Sequence, residues 1–364
     1  MARDYSKFLP AKSKNDTVKR TLSTLKTPDT LKTLGWQPYF ALQVSAEEMP
    51  STQPVRVTEV HREGLHIIGD DIDALLPPDA DVTVGDWLLI DPTQPNSART
   101  LDRKSLIKRR APGTDRKIQL IAANIDTAFI VSSCNADFNV ARLERYIALA
   151  FEADVNPVIL LTKQDLCDAP EQYLRDAGAI SPLVPVVALD ARGEDPETKL
   201  ADWCKQGQTV AFLGSSGVGK STLTNALCGA HLIDTQAIRE DDSKGRHTTT
   251  RRQLHLVPGG CIVLDTPGMR ELQMTDADSG VAAVFSDLQT LATQCRFNDC
   301  QHTSEPGCAV LDAVENGTID DARVQRWNKL SVENQFNSAT LAERKTKGRT
   351  LSKNIRQMKR LKGK

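Results

Sequence analysis

Thr209-Val-Ala-Phe-Leu-Gly214-Ser-Ser-Gly-Val-Gly-Lys220-Ser221-Thr222-Leu-Thr-Asn-Ala-Leu227 reads as a buried strand, a glycine-rich loop and the start of a helix. A short apolar run closed by glycine suits a strand of a parallel sheet, and the residues after Lys220 are helix-compatible. Gly214, Gly217 and Gly219 let the backbone, with Ser215, Ser216 and Val218, wrap N–H groups around an anion at the helix N-terminus, where the dipole favours negative charge. Lys220 is placed to reach the β and γ phosphates of a nucleotide and Ser221 to ligate Mg²⁺, with Thr222 next to it in the phosphate-binding set. A chance glycine turn is the competing reading, and the strand-loop-helix context argues against it.

About fifty residues upstream, the apolar run Pro157-Val-Ile-Leu-Leu-Thr162 ends in Thr162-Lys163-Gln164-Asp165. The Asp165 carboxylate can accept from both N1–H and N2–H of guanine, whereas adenine offers neither donor there. The aliphatic stem of Lys163 can cover the base. This motif is weak alone, but the phosphate loop makes it specific for GTP over ATP. The usual order of the two motifs is reversed, which predicts a circularly permuted domain. Such a cut is physically plausible because domain termini often lie close together. The short Ser-Ala segment that should follow is present only as Asp190-Ala191, without its serine.

Further downstream, Cys261-Ile-Val-Leu-Asp265 delivers Asp265-Thr-Pro-Gly268 to the same sheet edge, matching the loop that holds Mg²⁺ through Asp265 and senses γ-phosphate through the Gly268 N–H. Met269 follows where many GTPases place a water-orienting glutamine, so unaided hydrolysis should be slow. Gly245-Arg-His247-Thr248-Thr249-Thr250 offers a threonine for the Mg²⁺ shell, from Thr248, Thr249 or Thr250. It also offers His247 as a catalytic group, alongside Lys220 and Asp265, to position water. His247 as a plain loop histidine is the alternative.

At 364 residues the chain exceeds one domain of roughly 100–200 residues. Residues 1–36 read as a basic flexible extension. Residues 37–112 carry short β-like runs and suit an oligonucleotide-binding (OB) β-barrel. Residues 113–275 alternate strands and helices, as an α/β domain should. Residues 276–340 read as helical, and 341–364 form a tail with ten Lys or Arg and one acid, Glu343. The start lacks a signal peptide and no long apolar run suggests a membrane span, so a cytoplasmic protein is expected. In that reducing compartment, eight cysteines argue for metal ligation over disulfides. Cys295-x4-Cys300-x-His302-x5-Cys308 supplies a closed Cys₃His shell, predicting one structural Zn²⁺. The other five cysteines read as small core residues.

Together, the motif order, Gly-Arg-His-Thr-Thr-Thr at 245–250, Asp-Thr-Pro-Gly at 265–268 and Cys-Arg-Phe-x-Asp-Cys-x-His-x-x-Glu-Pro-Gly-Cys at 295–308 closely resemble the RsgA (YjeQ) family of small-ribosomal-subunit-dependent GTPases. The likeness runs from about residue 38 to about 335. It implies an OB barrel, a permuted GTPase centre and a zinc domain that bind the 30S subunit and its 16S rRNA late in assembly, as a monomer, with GTP hydrolysis stimulated by the subunit. The basic tails are read either as added rRNA contacts or as solvated extensions. A P-loop ATPase or kinase, opposed by Asp165, and a non-catalytic GTP-binding assembly scaffold, favoured only by Met269, are the competing functions.

Overall fold

The computed structural model describes residues 30–110, 118–193, 195–229, 252–265 and 276–338, and of Pro95, Asn96, Arg110, Asp195 and Asp265 only the backbone. Contacts divide the chain into two units, one of residues 1–146 and 153–272, the other of 147–152 and 273–364.

The first unit begins with two single-turn helices, α1 (Thr30–Thr33) and α2 (Pro38–Ala41). Five antiparallel strands follow: β1 (Gln53–His61), β2 (Gly64–Gly69), β3 (Ile72–Leu76), β4 (Trp87–Asp91) and β5 (Gln94–Thr100). They lie in the spatial order β5-β4-β1-β2-β3. The long strand β1 pairs β4 with its first half and β2 along its length, with a bulge between Val57 and Glu59 that bends it. The inward residues Val55, Val57, Leu65, Ile67, Leu76, Val82, Leu88 and Ile90 form one core. A cavity of about 290 Å³ is lined by Leu76 of β3, Leu88 of β4, and Ala98 and Thr100 of β5.

Residues 30–36, within the segment expected to be an extension, pack closely. Leu34 is fully buried, and Trp36, Phe40 and Trp87 form an aromatic cluster. Gly35 and Gly207 both have positive φ, and a Cβ on Gly35 would sit 2.5 Å from the Gly207 carbonyl oxygen, so only glycine permits this approach. Beneath them lies Arg56 of β1, 1% exposed, its guanidinium donating to the carbonyls of Leu34 and Asn124 and to the Thr209 hydroxyl at 2.8 Å. Burial pushes its pKa down to about 10, partly offset by the nearby carboxylates of Asp126 and Asp86.

Strands β6 (Leu106–Arg110) and β7 (Ile118–Ala123) form a separate antiparallel pair. The expected boundary at 112/113 falls in their connection, outside the described residues. The chain then alternates: β8 (Thr127–Ser133), α3 (Val140–Glu152), β9 (Asn156–Thr162), a 3₁₀ turn (Gln164–Leu166), α4 (Pro170–Gly178), β10 (Val186–Ala188), α5 (Asp195–Leu200), β11 (Thr209–Leu213), α6 (Lys220–Cys228), β12 (Arg252–Leu256) and β13 (Ile262–Asp265). Strands β10-β9-β8-β11-β13 are parallel, and β12 closes the set antiparallel to β13. Every residue of β8 and β11 is buried, as expected of parallel strands covered on both faces. Phe129 of β8 stacks on Phe212 of β11 at 5.4 Å within this core. Strand β12 also meets β1 over two residue pairs, giving one continuous mixed sheet.

The second unit is helical: α7 (Asp278–Val284), α8 (Ser286–Ala292), α9 (Ala309–Glu315) and α10 (Asp321–Ser338), with the end of α3. Gly280 lies so close to the Ala148 carbonyl that a Cβ would come within 2.0 Å of its oxygen. Glu152 accepts from the Ser279 hydroxyl at 2.7 Å and the Gly280 N–H at 3.1 Å, capping α7. Buried Asn334 of α10 accepts from the Ala277 N–H at 3.0 Å and donates to Asp278 at 2.7 Å. No helix among the described residues is long and apolar enough to cross a membrane.

Candidate nucleotide and metal sites

The glycine-rich loop leaves the carboxyl end of β11, the central strand between β8 and β13. Gly214 has φ 141 and lies against β8, where a Cβ would meet the Val131 carbonyl oxygen at 2.3 Å. Gly217 (φ 77) and Gly219 (φ 101) also occupy the left-handed region, and Gly219 is the N-cap of α6. The three glycines thus fix the loop that leads into the N-terminus of α6, where backbone N–H groups and the dipole favour an anion. Lys220 donates to the Gly214 carbonyl at 2.8 Å and to that of Ser215, which places its ammonium across the loop. Ser221 and Thr222 follow in the first turn of α6.

The upstream motif ends β9, two strands from β11 in the same sheet. Thr162 is fully buried, its hydroxyl 2.7 Å from the Val218 carbonyl and 3.2 Å from that of Ser132. Lys163 adopts a left-handed conformation (φ 58), turning the chain into the 3₁₀ segment that carries Gln164 and the exposed Asp165. Behind β10, Ala191 is buried, and its side chain and that of Thr162 both lie 3.7 Å from where a Gly219 Cβ would be. The three segments therefore meet at Gly219. At Asp190, which stands where the usual segment has serine, the carboxylate accepts from the Arg192 N–H at 2.9 Å. This bond closes an Asx turn over the segment.

Asp265 ends β13 beside β11, and the structure describes its backbone there. Its side chain lies outside the described residues, as do His247, Thr248, Thr249, Thr250, Gly268 and Met269.

In the second unit, Cys295, Cys300, His302 and Cys308 place their donor atoms within 4.8 Å of one another. The distances are 3.8 Å from Cys295 Sγ to Cys308 Sγ, 3.6 Å from Cys295 Sγ to His302 Nδ1, and 3.4 Å from His302 Nδ1 to Cys308 Sγ. Tetrahedral Zn²⁺, with bonds of ~2.3 Å to sulfur and ~2.0 Å to nitrogen, requires edges of about 3.8 and 3.5 Å. Cys295, His302 and Cys308 match those edges, and with Cys300 the group could hold such an ion. Their placement has identifiable causes. Cys308 is the N-cap of α9 and accepts from the Leu311 N–H at 3.5 Å. His302, at φ 54, stacks on Trp327 of α10 at 5.1 Å. Glu305 accepts from the backbone N–H groups of Gln301, Thr303 and Ser304 at 2.8–3.0 Å, which hold its carboxylate down at about 2. Spacing alone brought out the four candidate donors but neither Trp327 nor the role of Glu305, whose only sequence sign is an acid ahead of Pro306-Gly307.

The Thr-Lys-Gln-Asp loop encoded before the phosphate loop, both at the ends of parallel strands of one sheet, gives the motif order of a circularly permuted GTPase. The comparisons agree. The model of the RsgA GTPase family matches residues 100–275. An ABC transporter model also aligns with residues 201–360, a span that includes the phosphate loop both classes share. The small ribosomal subunit biogenesis GTPase RsgA 2 of Vibrio parahaemolyticus is 47% identical, covering 90% of this chain and 92% of its own. The RsgA of Mesorhizobium japonicum is 50% identical over 85% and 91%. The crystal structure of YjeQ from Thermotoga maritima superposes with a TM-score of 0.58 at 26% identity, covering 78% of this chain and 98% of that one. The chain belongs to the RsgA GTPase family, and it is a GTP hydrolase.

Proposed function

We propose that this GTPase acts in maturation of the small ribosomal subunit in the cytoplasm, binding its 16S rRNA as a monomer and hydrolysing GTP when engaged. The names of its relatives support the partner. The observation that carries the nucleotide reading is the bond from Thr162 to the Val218 carbonyl, which fixes the guanine loop to the phosphate loop. In this reading Asp165 accepts from guanine, Lys163 covers the base, Gln164 completes that loop, and Asp190-Ala191 borders it. The N–H groups of residues 214–219, with Lys220 and Thr222, bind the phosphates. Ser221 and Asp265 would hold Mg²⁺, joined by Thr248 or Thr249, and that ion neutralises phosphate charge. Gly268 reports the γ-phosphate and His247 orients water. Cys295, Cys300, His302 and Cys308 would hold a structural Zn²⁺.

Residues 37–112 are proposed as an OB barrel, supported by the strand order β5-β4-β1-β2-β3. Residues 113–275 would be the GTPase domain and 276–340 the zinc domain; the basic segments 1–29 and 341–364 lie outside the described residues. Hydrolysis of GTP and of ATP by the purified protein, titrated with small subunits at two salt concentrations, tests this reading. GTP turnover should rise severalfold with subunits and fall at the higher salt, and ATP should not substitute. Absence of stimulation, or equal use of ATP, refutes it.

A further inference from the structure

The motif around the metal cage contains two residues that ligation leaves unexplained, Arg296 and Phe297. Both are exposed, Phe297 at 42%, in a loop bounded by the ligands Cys295 and Cys300. That loop is tightly fixed. The Cys300 N–H donates to the Phe297 carbonyl at 3.3 Å and the Arg296 N–H to that of Gly307 at 3.0 Å. The Arg296 stem lies against Gly307, where a Cβ would be 3.2 Å from its own. The guanidinium is 5.5 Å from the Phe297 ring centroid, a cation–π pair. Asn298, also exposed, follows directly.

We infer that Arg296, Phe297 and Asn298 form a stacking platform for one unpaired RNA base, with the ring on the base, the guanidinium on a flanking phosphate and the amide on a base edge. A single aromatic among the exposed polar residues Arg296, Asn298 and Asp299 offers too little apolar surface to dock a protein. It does suit a nucleobase, whose flat face gains from one ring and one cation. A preset loop spends little ordering entropy on binding. Of the two acids in the motif, Glu305 is engaged by three backbone N–H groups, and Asp299 stands exposed beside Asn298. This inference rests on the small-subunit reading above.

The test compares full-length wild type with Phe297→Ala, Phe297→Trp and Phe297→Leu, all checked for zinc content and basal GTPase, in binding to small subunits with a non-hydrolysable GTP analogue. Stacking predicts that Phe297→Ala weakens binding about 5- to 150-fold. Phe297→Trp should restore it and Phe297→Leu should not. Addition of a single-stranded RNA oligomer to Phe297→Trp should also quench the added indole, and the same sequence as a duplex should not. Equal affinity of wild type and Phe297→Ala overturns the platform. So does full rescue by leucine, which would indicate a protein partner. Failure of wild type itself to bind subunits would instead sink the parent reading.

Discussion

The hydroxyl of Thr162, at the end of β9, lies 2.7 Å from the carbonyl of Val218, inside the phosphate loop and 56 residues later in the chain. Permutation separates the two loops in the opposite sense from an ordinary GTPase, yet this bond joins them in space. Replacing Thr162 with valine keeps the shape and leaves a buried acceptor without its donor, at a cost of ~1–3 kcal/mol. Thr162→Val should lower the urea midpoint accordingly and weaken GDP binding about tenfold or more. Thr162→Ser should stay near wild type in both measurements.

Asp190 shapes the neighbouring loop through its bond to the Arg192 N–H. Asparagine and serine can both accept that bond, and alanine cannot. Asp190→Ala should therefore raise the Kd for GDP severalfold and narrow the preference for guanine over hypoxanthine nucleotides. Asp190→Asn and Asp190→Ser should retain both properties in a fluorescent-nucleotide competition assay. If all three variants bind alike, the Asx turn has no part in the base site.

The contrast between local and distant contacts explains what was legible beforehand. Glycines in a phosphate loop, an Asp at a strand end and closely spaced Cys and His side chains are short patterns, because backbone geometry or one ion imposes them within a few residues. The parallel part of the sheet was legible for the same reason, since β8, β9 and β11 are short apolar runs; the antiparallel β12 and its pairing with β1 were not. Packing of residues 30–36 was not. Leu34 is buried through Arg56, which also reaches Thr209, 153 residues further on, and no local pattern encodes that meeting. The stacking of Trp327 on His302 has no local sign either, because an aromatic at helical spacing reads as ordinary core.

Arg56 is a buried cation whose hydrogen bonds tie α1, β1 and the start of β11 together. Truncating one member of such a buried network costs about 3–5 kcal/mol. Arg56→Ala should lose a comparable amount in urea unfolding. Arg56→Lys should lose nearly as much, because an ammonium cannot span Leu34, Asn124 and Thr209 at once. A lysine variant as stable as wild type would show that charge alone matters there.

His247 stands in the sequence where a group could replace the glutamine that Met269 does not supply. His247→Ala should reduce subunit-stimulated turnover while leaving GTP affinity intact. Unchanged single-turnover hydrolysis would remove His247 from the reaction.

The proposed zinc site and the helices around it depend on each other. Cys308 is both a donor and the N-cap of α9, and His302 is braced by Trp327 of α10. Stripping the metal should therefore disturb α9 and α10 as well as the loop. Chelation is expected to release one zinc per chain, alter Trp327 fluorescence and increase proteolysis within 276–338, while guanine nucleotide binding survives. Cys308→Ala should mimic chelation, because it removes a ligand and a cap together. Trp327→Leu should keep the metal but release it faster to a chelator, since the ring orients His302 without touching the ion. Zinc release as slow as in wild type would mean that the loop, through Glu305, positions the imidazole unaided.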